Sequence, residues 1–212
     1  KSGIEADVNG NVNDLSFGTL NLEADIDISN GFRVNGSIPY TFVTGPLGEN
    51  NGIGDMALTF SKVITVKKKN LLTFFIGGKF ATGKVNSSDS LPQRYMPGLG
   101  TNDLIAGAVF QRGNYYFGAG YQKPFGRSGN YVTRLKRGDD LFFRAGFTEL
   151  FGKVGVKAEI LTILRLQAAS VRDPLGAGES FITVSSSNET QVNMLCSANY
   201  HASDGLTFGL FA

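Results

Sequence analysis

Five carboxylates, Glu5, Asp7, Glu23, Asp25 and Asp27, fall at alternate positions in two early segments. In extended chain, alternate residues share a face, so these five form an acidic wall. Such a wall could bias cations or hold a divalent ion through oxygen ligands. It is equally consistent with a wet wall neutralised by nearby Arg and Lys or by water. Counting outward from Asn30 sets Asp27 opposite Arg33, and counting from Phe151-Gly152 sets Arg144 near Glu159. Lys79 and Asp103 stand at similar heights on neighbouring segments, and Asp55 and Lys157 share the same polar series. Paired charges on one inner face either shape a constriction, as rings of charge do in pores, or satisfy each other and plug the space.

Ser197, Asn199 and His201 also alternate on one face. A hydrolase could use these residue types, but along one strand Ser197 and His201 stand ~13 Å apart at ~3.3 Å per residue. That exceeds nucleophile–base reach, so a polar row is expected and no enzyme. The single Cys and single His exclude a disulfide framework, a Cys-rich zinc module and a multi-histidine metal centre. Cys196 falls on the apolar face, as a small inert hydrophobe. No phosphate loop, metal motif or nucleic-acid platform is visible, and no cofactor, metal or catalytic residue is expected. Lys123, Arg127, Arg134, Lys136 and Arg137 gather around one loop, Pro124 to Gly138. They suit either a solvated loop or the phosphates of lipopolysaccharide.

The elements that position these residues follow from composition and period. The chain has 212 residues, a net charge of +2, 18% charged residues, 28 Gly, 17 Phe and no Trp. The charge balance argues against a nucleic-acid binder, and the length suits one domain spanning 1–212. No run approaches the ~18 apolar residues of a membrane helix. Alternation dominates instead. Leu20, Leu22, Ala24, Ile26 and Ile28 interleave with polar residues, as do Leu104, Ala106, Ala108 and Phe110, and later Val192, Met194, Cys196, Ala198 and Tyr200. This period predicts eleven strands and no helix.

Tight turns are expected at 29–31, 67–70, 112–114, 151–153 and 203–205. Longer loops are expected at 44–51, 84–100, 124–138 and 168–179, with a modest link at 10–14. Short and long connections take turns, as in an up-and-down outer-membrane barrel. A soluble sandwich or lipocalin-like barrel would show the same alternation with the apolar face inside. Three features favour the membrane: strands of ten or more residues, aromatics near strand ends (Tyr40, Phe42, Phe80, Phe110, Phe117, Tyr121, Tyr200), and carboxylates in mid-strand. In-strand or adjacent Gly113, Gly118, Gly120, Gly146 and Gly155 suit bending and close packing.

From about Asn13 onward the chain resembles the phenol-degradation meta-pathway transporter family of outer-membrane barrels. Ile38-Pro39-Tyr40, Gly52-Ile53-Gly54-Asp55, Lys79-Phe80-Ala81-Thr82-Gly83-Lys84 and Gly100-Thr101-Asn102-Asp103 carry the resemblance in order, with Ala81 where the family usually has Pro. The resemblance implies an all-β, antiparallel transmembrane β-barrel of about 12 strands in the bacterial outer membrane, passing small solutes, with hydrophobic or aromatic ones among those expected. The alternative is a structural or accessory barrel with an occluded lumen in a larger outer-membrane complex. The expected partners are the lipid bilayer, lipopolysaccharide and a small-molecule solute, with no nucleic acid. Eleven strands would leave Ala212 on the long-loop side, so a return strand after it is expected. The competing explanations are a hairpin within 181–199 or closure by another chain. Lys1 to Glu5 is no signal peptide, so a leader is expected to be absent or removed.

Overall fold

Two-residue turns set the hairpin registers. Asn30 and Gly31 both take left-handed backbone, with φ of 50° and 79°, the pairing a tight hairpin needs to match strand twist. A computed structural model describes residues 2–6, 12–67, 70–85, 91–173, 175–176, 180–185, 187–203 and 206–211. Its strands are β1 (Ser2–Ala6), β2 (Val12–Ser29), β3 (Phe32–Gly45), β4 (Gly48–Ile53), β5 (Met56–Lys67), β6 (Asn70–Phe80) and β7 (Asn102–Arg112). They continue as β8 (Tyr115–Phe125), β9 (Asp140–Phe151), β10 (Val154–Arg165), β11 (Ser170–Arg172), β12 (Phe181–Thr183), β13 (Gln191–Ser203) and β14 (Leu206–Phe211).

The main sheet is antiparallel throughout and runs β1-β2-β3-β5-β6-β7-β8-β9-β10-β13-β14, with β4 attached to β3. The eleven strands of this path are those the alternation predicts. Their order is that of the chain, the meander of an up-and-down barrel. The sheet curls enough for inward Phe75 on β6 to stack on Phe142 on β9, three pairings away, with ring centroids 6.3 Å apart. Glycines make room on that face. A Cβ on Gly107 would fall 2.5 Å from both Ala119 O and Phe75 Cζ.

The apolar series faces outward. Phe74, Phe117 and Phe143 are exposed, Phe117 by 59%, whereas Asp103, Asp140 and Glu159 on the opposite face are buried. A soluble β-protein has the reverse polarity. Leu206, Phe208 and Leu210 continue the apolar alternation in sequence, and their side chains lie outside the described residues. Cys196 is exposed on the outward face. No helix among the described residues is long and apolar enough to cross a membrane; the crossing elements are strands.

Three expectations are corrected. Residues 44–51 are not a long loop: β3 and β4 pair from Tyr40↔Ile53 to Gly45↔Gly48 around a two-residue turn. Between β4 and β5 the ladder slips. Four residues on β3, from Ser37 to Tyr40, face five on the other side, from Ala57 to Ile53. The extra residue makes a bulge at Gly54–Asp55, where the Gly54 N–H donates to Pro39 O at 2.8 Å. The region around 168–184 holds a two-stranded ribbon, β11 with β12, and not a hairpin within 181–199. Val12 to Asp14 belong to β2, while residues 10–11 of the expected link lie outside the description, as does Ala212.

Candidate functional site

Strand register builds the interior. Asp27 and Arg33 are direct partners next to the first tight turn, and the guanidinium donates from Nε at 2.8 Å. Both side chains are largely exposed, at 78% and 49%. Above them Asp25 accepts from Asn35 Nδ2 at 3.0 Å, and Glu23 accepts from Asn21 Nδ2 at 2.5 Å. Asp7 lies outside the described residues, and for Glu5 only the strand is described. On β9 and β10, Arg144 Nη2 reaches Glu159 Oε2 at 2.5 Å. Lys157 Nζ reaches the same oxygen at 3.0 Å, and the Tyr116 hydroxyl also donates to it. That cluster carries one negative and two positive charges. Ser197 and Asn199 lie on the inner face of β13, in register with Lys157 and Gly155. His201 pairs in register with Thr207, and its side chain is outside the description.

A second array lies at the long-loop end. Lys79 and Asp103 are register partners on β6 and β7, with Nζ 3.4 Å from Oδ2. Lys79 Nζ also lies 3.1 Å from Asp55 Oδ2. The chain of charges continues from Asp103 to Arg137 at 3.5 Å, from Arg137 to Asp140 at 2.7 Å, and from Asp140 to Arg165 at 3.0 Å. Three carboxylates and three cations alternate around half of the wall. Each carboxylate side chain is at most 5% exposed. Alternation of sign lets each charge replace lost water with a partner, the condition for burying an ion.

Asp55 does more than pair with Lys79. Its carboxylate accepts the backbone N–H groups of Gly83 at 3.1 Å, Leu99 at 2.8 Å and Gly100 at 3.1 Å. The β6–β7 connection is thereby drawn onto the inner wall. Its 3-10 turn, Gln93–Tyr95, carries the fully buried Tyr95 against Leu15 of β2, Val43 of β3 and the neighbouring Met96. The Leu47 N–H donates to the Tyr95 hydroxyl at 3.1 Å, and Asn50 Nδ2 donates to Tyr95 O at 3.0 Å. At the other side Asn130, fully buried in the β8–β9 connection, donates to Leu91 O at 3.3 Å. Residues 91–100 therefore touch β2 and β3 on one side and the β8–β9 connection on the other.

The basic loop does not present all its charges to solvent. Arg137 points inward to Asp103 and Asp140, and the Arg127 guanidinium lies 3.4 Å from the centroid of the Phe181 ring. Tyr95, Asn130, Tyr116, Asp140 and Arg165 are absent from the site expected from sequence. Tyr95-Met96 in a long polar connection is the one visible signal, an apolar pair with no strand to belong to. Among the described residues, no group of three or more His, Cys, Asp or Glu converges to hold a metal ion.

No family model matches the chain, and no curated protein does. The backbone is similar to the crystal structure of an outer membrane channel from Pseudomonas putida F1, with a TM-score of 0.62 and 12% sequence identity. The alignment covers 94% of this chain and 76% of that one. The fold is that of an outer-membrane β-barrel, apolar outside and charged within.

Proposed function

We propose that this chain is a passive channel of the bacterial outer membrane for small solutes, aromatic or otherwise apolar ones among them. The observation that carries the reading is the sidedness of the wall. Exposed Phe74, Phe117 and Phe143 suit lipid, whereas Asp27, Arg33, Arg144, Lys157 and Glu159 suit a wet interior. The apolar part of the solute class rests on the inward Phe75–Phe142 stack, which lies between the upper charge array and the Glu159 cluster. The motif resemblance to the phenol-degradation transporter family points the same way. A passive path needs no catalytic group or cofactor.

The test is reconstitution into liposomes, with influx of small polar and aromatic solutes measured against empty vesicles. Faster influx of any such solute is expected. Influx equal to that of empty vesicles for every solute, from protein that is folded and inserted, overturns the reading. A second reading, an accessory barrel with an occluded lumen, draws on the inward course of residues 91–100, and the same measurement separates the two.

A further inference from the structure

We propose that residues 91–100 form a strap that closes the long-loop mouth and swings clear to let solute pass, with Asp55 as its latch. The inference rests on the channel reading. The strap is held by side-chain and loop contacts that are separate from the barrel's strand pairing. At one end stands an apolar anchor, Tyr95 and Met96 on Leu15 and Val43. At its foot the Leu99 and Gly100 N–H groups bind Asp55, and the Gly98 N–H donates to Lys84 O at 3.2 Å. At the far side Asn130 donates to Leu91 O at 3.3 Å. None of these is a ladder bond of the barrel. The strap can leave without breaking a strand pair, while β6 and β7 remain zipped from Asn70↔Arg112 to Lys79↔Asp103.

The latch is built for close approach. Gly83 and Gly98 cross in backbone contact: a Cβ on Gly98 would fall 2.7 Å from Gly83 Cα and 2.9 Å from Asp55 Oδ1. Only glycine lets the strap's N–H groups reach the carboxylate. The carboxylate in turn is aimed by Lys79, which Asp103 holds from the other side. Charge on the acceptor makes these hydrogen bonds roughly twice as strong as neutral ones. The upper ion-pair array thereby gains a purpose beyond satisfying itself: it fixes the acceptor that holds the strap.

Two measurements test this. In a Cys196→Ser background, an Asn50→Cys/Met96→Cys pair is bridged by a short, reductively cleavable bis-thiol reagent. Asn50 Nδ2 lies 3.6 Å from Met96 Sδ, so such a reagent can span the pair. Solute influx into liposomes is expected to fall at least tenfold when bridged and to recover on cleavage. Separately, amide hydrogen exchange at Leu99 and Gly100 is followed in Asp55→Asn and in Gly98→Ala. It is expected to rise at least tenfold in both, with the β7–β8 ladder amides unchanged. Equal, measurable influx in bridged and cleaved barrels overturns the strap and leaves the channel standing. Unchanged exchange in both variants overturns the latch. Accelerated exchange with no influx in any form overturns the channel reading, and the gate with it.

Discussion

Replacing Lys79 by Met removes one cation from between two buried carboxylates. Lys79 Nζ lies 3.1 Å from Asp55 and 3.4 Å from Asp103, whose side chains are 5% and 0% exposed. At an effective dielectric of about 20, each contact is worth roughly 5 kcal/mol of gross attraction. Desolvation offsets most of that in the intact pair, but taking away one partner of a buried pair typically costs about 3–5 kcal/mol. Asp55 keeps three backbone donors, and Asp103 keeps Arg137, Gln122 and Thr101. The lower end, about 3 kcal/mol, is therefore expected. Arg33→Met breaks an ion pair of the same kind whose side chains are 49% and 78% exposed, and a cost of about 0.5 kcal/mol is expected there. With no Trp in the chain, far-ultraviolet circular dichroism of vesicle-inserted protein in urea is the suitable probe. Stability follows from the midpoint at constant slope. Adding Asp103→Asn to Lys79→Met should recover part of the loss, because it removes a charge left without its partner. Equal stabilities of the Lys79 and Arg33 variants would refute the claim that the upper array is shielded from water.

Three further outcomes follow from the wall. Ile76→Lys places a charge on the outward face in mid-strand, where a cost of about 2–4 kcal/mol is expected in bilayers; a neutral result in the same urea titration would mean that this face does not meet lipid. Gly107→Ala drives a methyl group against a backbone carbonyl and the Phe75 ring, so a loss of about 1–3 kcal/mol is expected, and unchanged stability would contradict the close approach. Arg144→Leu removes one of the two cations on Glu159. Its reversal potential in a salt gradient should move toward cation preference, and movement toward anions would sink the assignment of that cluster to the conducting path.

What could be read from the chain, and what could not, divides along the lipid boundary. Inside it, solvent on one side and hydrocarbon on the other force a period of two, so Leu104 to Phe110 and Val192 to Tyr200 declare their strands. Turn chemistry then locates the hairpin: Asn30-Gly31 is a two-residue turn, and a one-residue irregularity at Ile28 brings Asp27 opposite Arg33. Above the lipid the outer face need not be apolar. Glu49, Asn50 and Asn51 alternate nothing, and β4 passes for a loop. Arg137 reaches Asp103 from a connection whose path no strand count describes, so a charge that reads as a solvated or phosphate-facing residue closes an interior array. Tyr95 meets Leu15 across eighty positions of sequence, a distance at which neither period nor turn chemistry carries information.

The slip at Gly54–Asp55 has a consequence of arithmetic. In a strand, even and odd positions belong to opposite sides, and without the additional residue Asp55 would share the side of Ile53, which is exposed on the outer surface. Its carboxylate would then lie on the outer surface, away from Lys79. The bulge resets parity once, so that Ile53 and Met56 can both sit outside while Asp55 is delivered to Lys79. A one-residue insertion or deletion between Ile53 and Met56 undoes that reset and exchanges inside for outside along one arm of the strand. A change of two residues leaves every position on its own side. Length variation at this point is therefore tolerated in steps of two, and the parity of the segment, more than the identity of its residues, keeps the negative charge on the inner side.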